Sequence, residues 1–101
     1  MVPASLPPAV HEAAHYVDRT RATHSTAESE YRAAKALLAA EIRNTAKDQW
    51  TVSALCDAVA CRMGLEARTV RNALYETFRT DVFEVCLEVL AAEITRTRVA
   101  A

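Results

Sequence analysis

Apolar residues recur along this chain three and four positions apart, the spacing of one face of a helix, almost from end to end. A short leader, residues 1–8, ends in Pro7 and Pro8, which suit the entry to a helix. Val10, Ala13, Ala14 and Val17 then form a narrow apolar stripe and predict a first helix over residues 9–22. Thr23, His24, Ser25 and Thr26 interrupt it. Ser25 with Glu28 three positions on is a capping box, a reciprocal side-chain-to-backbone pairing that starts a helix. Tyr31, Ala34, Leu37, Leu38 and Ile42 carry that second helix inward-facing to about residue 45. No glycine or proline parts the two segments, so a single helix through 9–45 fits the pattern too.

The second half reads more sharply. Thr51 is a good N-cap, and Trp50 before it can pack on Leu55 as a hydrophobic staple. Val52, Leu55, Val59 and Met63 keep one face of a third helix, which Gly64 stops. A fourth helix follows over about 67–78, with Val70, Ala73, Leu74 and Phe78 inward. Asp81 and Glu84 make a second capping box for a last helix over 81–97. Its apolar positions are Val82, Phe83, Cys86, Leu87, Leu90 and Ile94, and Val85 and Val89 widen the stripe. Residues 82–89 also alternate as a strand would. The pattern continues to Ile94, however, and the region lacks the turn residues of a hairpin, so helix is the expectation.

Composition narrows the class. The single glycine and the three prolines, all within the first eight residues, leave too few tight turns for an all-β fold. At 101 residues, 51% hydrophobic and 25% charged, the chain reads as one globular domain with one core. Frequent alanine and ten arginines against two lysines match a GC-rich bacterial or phage coding bias. Three cysteines, Cys56, Cys61 and Cys86, show no CxxC spacing and read as reduced thiols, small apolar residues for packing rather than a disulfide frame or zinc ribbon. No apolar run approaches a membrane span, and no basic-then-apolar leader suggests export, so the expected setting is the cytoplasm.

Two helices meeting across a very short turn need a small residue where they cross, a glycine for a left-handed backbone in the turn, and apolar anchors on both sides. Val59, Ala60, Met63, Gly64, Leu65, Val70 and Ala73 fill those places. Over about residues 51–78 the chain resembles the helix-turn-helix DNA-binding proteins. Glu66 departs from their pattern, standing where a serine, threonine or aspartate usually caps the recognition helix; its charge still suits a helix start. The resemblance implies that Ala67, Arg68, Thr69, Arg71 and Asn72, with Tyr75 further along, face the major groove. Arginine can pair with guanine, asparagine with adenine, and threonine with a base edge or thymine methyl. Thr51, Ser53, Lys47 and Arg79 are the expected phosphate contacts. A single such helix binds weakly, which implies a homodimer reading two half-sites about 34 Å apart.

Net charge tempers that reading. The chain carries −1 overall, whereas affinity for DNA comes largely from neutralising phosphates. The excess is unevenly placed: residues 43–79 carry six basic against four acidic side chains, while both flanking segments are net acidic. The competing reading of the same helices is a protein-interaction module or an inhibitor of a host protein.

A third motif stands apart. His11, Glu12 and His15 spell HEAAH on the first predicted helix, the zinc peptidase spacing in which two imidazoles hold metal and the glutamate activates water. A third ligand is wanting: His24 is at the wrong spacing, and Glu28 or Glu30 would have to reach across. No strand is offered to hold a peptide. Solvent-facing histidines are the plainer reading, and no catalytic residue or cofactor is expected. The sequence thus predicts an all-α bundle of about five helices with a central helix-turn-helix over 50–78 and no β-wing. Its expected function is that of a dimeric, sequence-specific regulator on double-stranded DNA.

Overall fold

In the computed structural model, which describes residues 2–22 and 28–100, each run of helical spacing becomes a helix. They are α1 (Pro8–Ala22), α2 (Glu28–Gln49), α3 (Val52–Met63), α4 (Ala67–Asn72), which continues as a π-helical turn (Ala73–Thr77), and α5 (Thr80–Ala100). No strand occurs among the described residues. The chain after Phe78 enters α5, so there is no wing there.

The N-terminal segment is two helices and not one. α1 and α2 run antiparallel: Arg21 near the end of α1 donates to the Tyr31 hydroxyl at 3.3 Å, while Ala9 at its start lies near Glu41 of α2. The Ser25–Glu28 capping box falls outside the described residues. The expected stripe of α1 is buried as a unit, Val10 and Val17 almost completely. On α2 one expectation fails. Leu37, expected inward, is 52% exposed, because the buried row is Ala34, Leu38, Ile42 and Ala46, with Ala39 beside it. Leu37 stands one residue, about 100° of helix, away from that row.

α3 begins and ends on local chemistry. Thr51 takes an extended backbone (φ −143°, ψ 160°) and its hydroxyl accepts from the Ala54 N–H at 3.0 Å, satisfying one otherwise orphaned donor. At the far end Gly64 turns left-handed at φ 68°, and the N–H groups of both Gly64 and Leu65 converge on the Ala60 carbonyl. That is the doubly bonded ending in which glycine avoids the steric cost of positive φ.

One core joins all five helices. Ile42 of α2, Leu55 and Val59 of α3, Val70 of α4, Leu74 of the π-turn and Phe83 and Leu90 of α5 are each at most 1% exposed. Each side chain of this size contributes roughly 1.5–3 kcal/mol by leaving water. α5 opens at Thr80, one residue before the expected cap, and Asp81 does not close a capping box. Both its carboxylate oxygens are taken by the Arg79 guanidinium, at 3.2 and 2.7 Å. The wide stripe of α5 turns inward: Val85 and Val89 are half-buried against the core. Trp50 is half-buried too, packed against the core just before α3 begins. No buried side-chain nitrogen or oxygen among the described residues lacks a partner.

Candidate nucleic-acid interface

The turn at residues 64–66 brings α4 against α3, and burial divides α4 and its π-turn into two faces. Val70, Ala73 and Leu74 point into the core and are wholly buried. Arg68, Arg71, Asn72 and Tyr75 are exposed, while Thr69 is half-buried. Ala67, expected on the outer face, is half-buried against the core and so adds little to that surface. Glu66 sits in extended backbone before α4 and makes no side-chain cap. Its carbonyl accepts from the Thr69 and Val70 N–H groups, at 3.0 and 3.3 Å, and its carboxylate lies 4.0 Å from the Arg68 guanidinium.

The predicted phosphate contacts arrive from three directions. Thr51 and Ser53 crown the exposed start of α3, and the Arg71 guanidinium donates to the Ser53 hydroxyl at 3.0 Å. That bond draws the first turn of α3 and the outer face of α4 into one patch. Lys47 is exposed in the last turn of α2. Arg79 lies beyond the π-turn, where Asp81 holds it; the hydrogen-bonded pairing raises the Arg79 pKa and lowers that of Asp81. Arg79, like Arg71, is therefore a predicted contact whose guanidinium is already engaged inside the molecule.

The regular helix expected to run to Phe78 ends at Asn72. From Ala73 to Thr77 the backbone widens into a π-turn, and Phe78 then takes a left-handed conformation at φ 50°. A bulky residue at positive φ is strained, commonly by about 1–3 kcal/mol, and persists only where the surroundings hold it. Here α2 does the holding. Arg43 donates to the Leu74 carbonyl, and Arg32 donates to the Glu76 carbonyl at 3.5 Å. The Arg32 guanidinium also lies 5.8 Å from the Phe78 ring. Two carbonyls of the widened turn thus find charged donors from another helix, and Phe78 packs half-buried against the core.

Sequence reasoning missed Arg43. Its guanidinium stacks on the Tyr75 ring at 4.6 Å, with Arg71 at 5.8 Å from the same ring. Two cations thus flank one exposed aromatic ring on the α4 side. A signal was present: Arg32, Ala36, Ala39 and Arg43 recur at helical spacing on α2, two small residues bracketed by arginines. Small residues admit a close neighbour, and the flanking arginines can then reach its backbone.

The HEAAH histidines lie on α1, His11 half-buried and His15 exposed. Glu30 is exposed on α2, while His24 and the Glu28 side chain fall outside the described residues. Among the described residues no three histidine, cysteine, aspartate or glutamate side chains are grouped closely enough to hold a metal ion. Nor is any helix among them long and apolar enough to cross a membrane. No protein family, curated protein or solved structure matches this chain.

Proposed function

We propose that the protein is a sequence-specific regulator of bacterial or phage type that binds double-stranded DNA as a homodimer in the cytoplasm. The observation that carries this reading is the division of α4. Val70 of α4 and Ala73 and Leu74 of the π-turn are wholly buried, while Arg68, Arg71 and Asn72 of α4 and Tyr75 of the π-turn are exposed, side chains able to read base edges. Arg43 from α2 and Ser53 at the start of α3 border that face, and with Lys47 and Thr51 they would supply phosphate contacts. Pairing of two copies makes up for the small local cationic excess of residues 43–79 by doubling the phosphates engaged.

Titration of the purified chain with fluorescent genomic fragments at two salt concentrations tests the proposal. The expected result is binding that weakens as salt rises, with a steeper slope for a dimer than one copy could give. Arg68→Ala combined with Arg71→Ala should remove sequence preference and most of the affinity while leaving the helical content intact. Absence of binding at low salt, or binding unchanged in that double variant, overturns the reading. Light scattering of the free protein and of its complex checks the expected dimer.

A further inference from the structure

The arginines around α4 are held in different ways, and the difference decides what each can do to a duplex. Arg79 donates from both Nε and Nη2 to the two carboxylate oxygens of Asp81, so one whole edge of its guanidinium is closed to a base. Arg68 stands at the other extreme. Its side chain is 84% exposed, and its ion-pair partner Glu66, 4.0 Å away, is 78% exposed itself. Such a pair fixes no single geometry. Arg71 lies between the two. Its Nη2 donates to the Ser53 hydroxyl at 3.0 Å, and its guanidinium carbon lies 5.8 Å from the centre of the Tyr75 ring.

Both holders are themselves tied down. Ser53 belongs to the first turn of α3, whose start Thr51 caps. Tyr75 belongs to the π-turn, and Arg43 of α2 packs on the same ring at 4.6 Å while donating to the neighbouring Leu74 carbonyl. Arg71 is thus set by α3 on one side and by the π-turn, backed by α2, on the other. The grip leaves its fork open. Each terminal nitrogen of a guanidinium carries two N–H groups, and Ser53 takes one of them from Nη2. The Nη1–Nη2 end still offers the two parallel donors that match O6 and N7 of guanine. Reading a base needs that fork at a fixed angle, whereas a phosphate accepts a charge from many directions. A held arginine has little rotamer freedom left to lose on docking, and a free one loses most of it.

We propose, resting on the DNA-binding reading of this face, that Arg71 is its base-reading arginine, specific for one guanine in each half-site. Ser53 and Tyr75 are the positioning residues that aim it, and Arg68 serves a phosphate. Two arginines that the sequence pattern leaves equivalent thereby take different roles. The Ser53 hydroxyl keeps its own proton to donate to a phosphate while it accepts from Arg71.

The test begins with selection of duplexes from a randomised pool by the full chain. Affinities are then measured for the selected duplex and for versions in which each guanine becomes adenine or deazaguanine, which lacks N7. Changing one guanine per half-site to adenine should weaken binding by the parent on the order of tenfold, with a smaller loss for deazaguanine. Arg71→Ala should bind the selected and changed duplexes alike. Arg68→Ala should weaken both by the same factor and lower the salt slope by about one per copy. Ser53→Ala and Tyr75→Leu should each lose part of the discrimination, and Ser53→Thr and Tyr75→Phe, which keep the hydroxyl and the ring, should restore it. In the free protein, NMR relaxation of the Nε–Hε groups should show Arg71 more rigid than Arg68. Discrimination that follows Arg68, an even loss on all duplexes in Arg71→Ala, indifference to Ser53 and Tyr75, or an Arg71 as mobile as Arg68 would each overturn this division of roles alone. Failure to bind any duplex of the pool at low salt would overturn the DNA-binding reading, and the division of roles with it.

Discussion

Replacing Gly64 by alanine isolates the cost of one backbone angle. Gly64 stands at φ 68°, and a Cβ placed there meets no atom within 4 Å. Crowding therefore contributes nothing, and the penalty is the intrinsic one of holding an L-residue in the left-handed region, about 1–2 kcal/mol. Alanine also restricts the unfolded chain, which returns about 0.4–1 kcal/mol where its native angles are tolerated. The expected net loss is about 1 kcal/mol, a fall in Tm of about 4–8 °C for a domain of this size. Urea denaturation followed by circular dichroism measures it, provided the m-value is unchanged. Gly64→Asn should lose clearly less, since asparagine tolerates this region, and Gly64→Val clearly more. An alanine variant as stable as the parent would refute the left-handed turn. A loss above about 3 kcal/mol would refute the open space around it, because only a clash reaches that size.

Arg43→Met keeps the aliphatic stem but removes the donor to the Leu74 carbonyl and the cation on Tyr75; hydrogen exchange of the amides at 73–79 should quicken while that of α3 stays unchanged. Acidification should destabilise the fold through Asp81 and Glu93, whose carboxyls are held below their ordinary values chiefly by hydrogen bonds from Arg79 and Arg96. Lowered folded pKa values mean that this stability is fully present above the ordinary carboxylate range, near pH 4, and is lost as pH falls through the lowered values. Carboxyl NMR titration should therefore show both groups ionising below the other carboxylates, and Arg79→Ala and Arg96→Ala should return Asp81 and Glu93 respectively toward normal. A thiol reagent should modify Cys61 rapidly in the native protein and reach Cys56 and Cys86 only on denaturation. Both are buried, and burial pushes the Cys86 thiol up to about 12 and raises that of Cys56.

What the sequence disclosed was what neighbouring residues decide among themselves. Thr51 caps because its own hydroxyl reaches Ala54, and Gly64 stops α3 because no other residue turns left without strain; both signals lie within four residues of their effect. The buried stripes of α1, α3 and α5 follow from spacing alone. Leu37 was misread because two adjacent leucines on α2 fit a helical stripe equally well, and only the packed partners choose between them. The π-turn was hidden for a stronger reason. Its carbonyls depend on Arg43 and Arg32, 31 and 44 residues earlier in the chain. The same holds for the patch that Arg71 makes with Ser53, 18 residues away. The outward residues of α4 could be named from their own segment, whereas the arginine that flanks Tyr75 from the other helix was marked only by its spacing on α2, which does not say what it meets.

The two arginines of α2 also make that helix a gauge of length. Arg32 and Arg43 stand eleven positions apart, about three full turns, so both reach the same side. One residue inserted between them would swing one arginine about 100° around the axis relative to the other, and both carbonyls could not then be met at once. Almost any helix-forming residues of the right size could fill the interval, provided their number stays fixed. The pose of α4 is thus written partly as a distance counted off on a helix that never enters the turn.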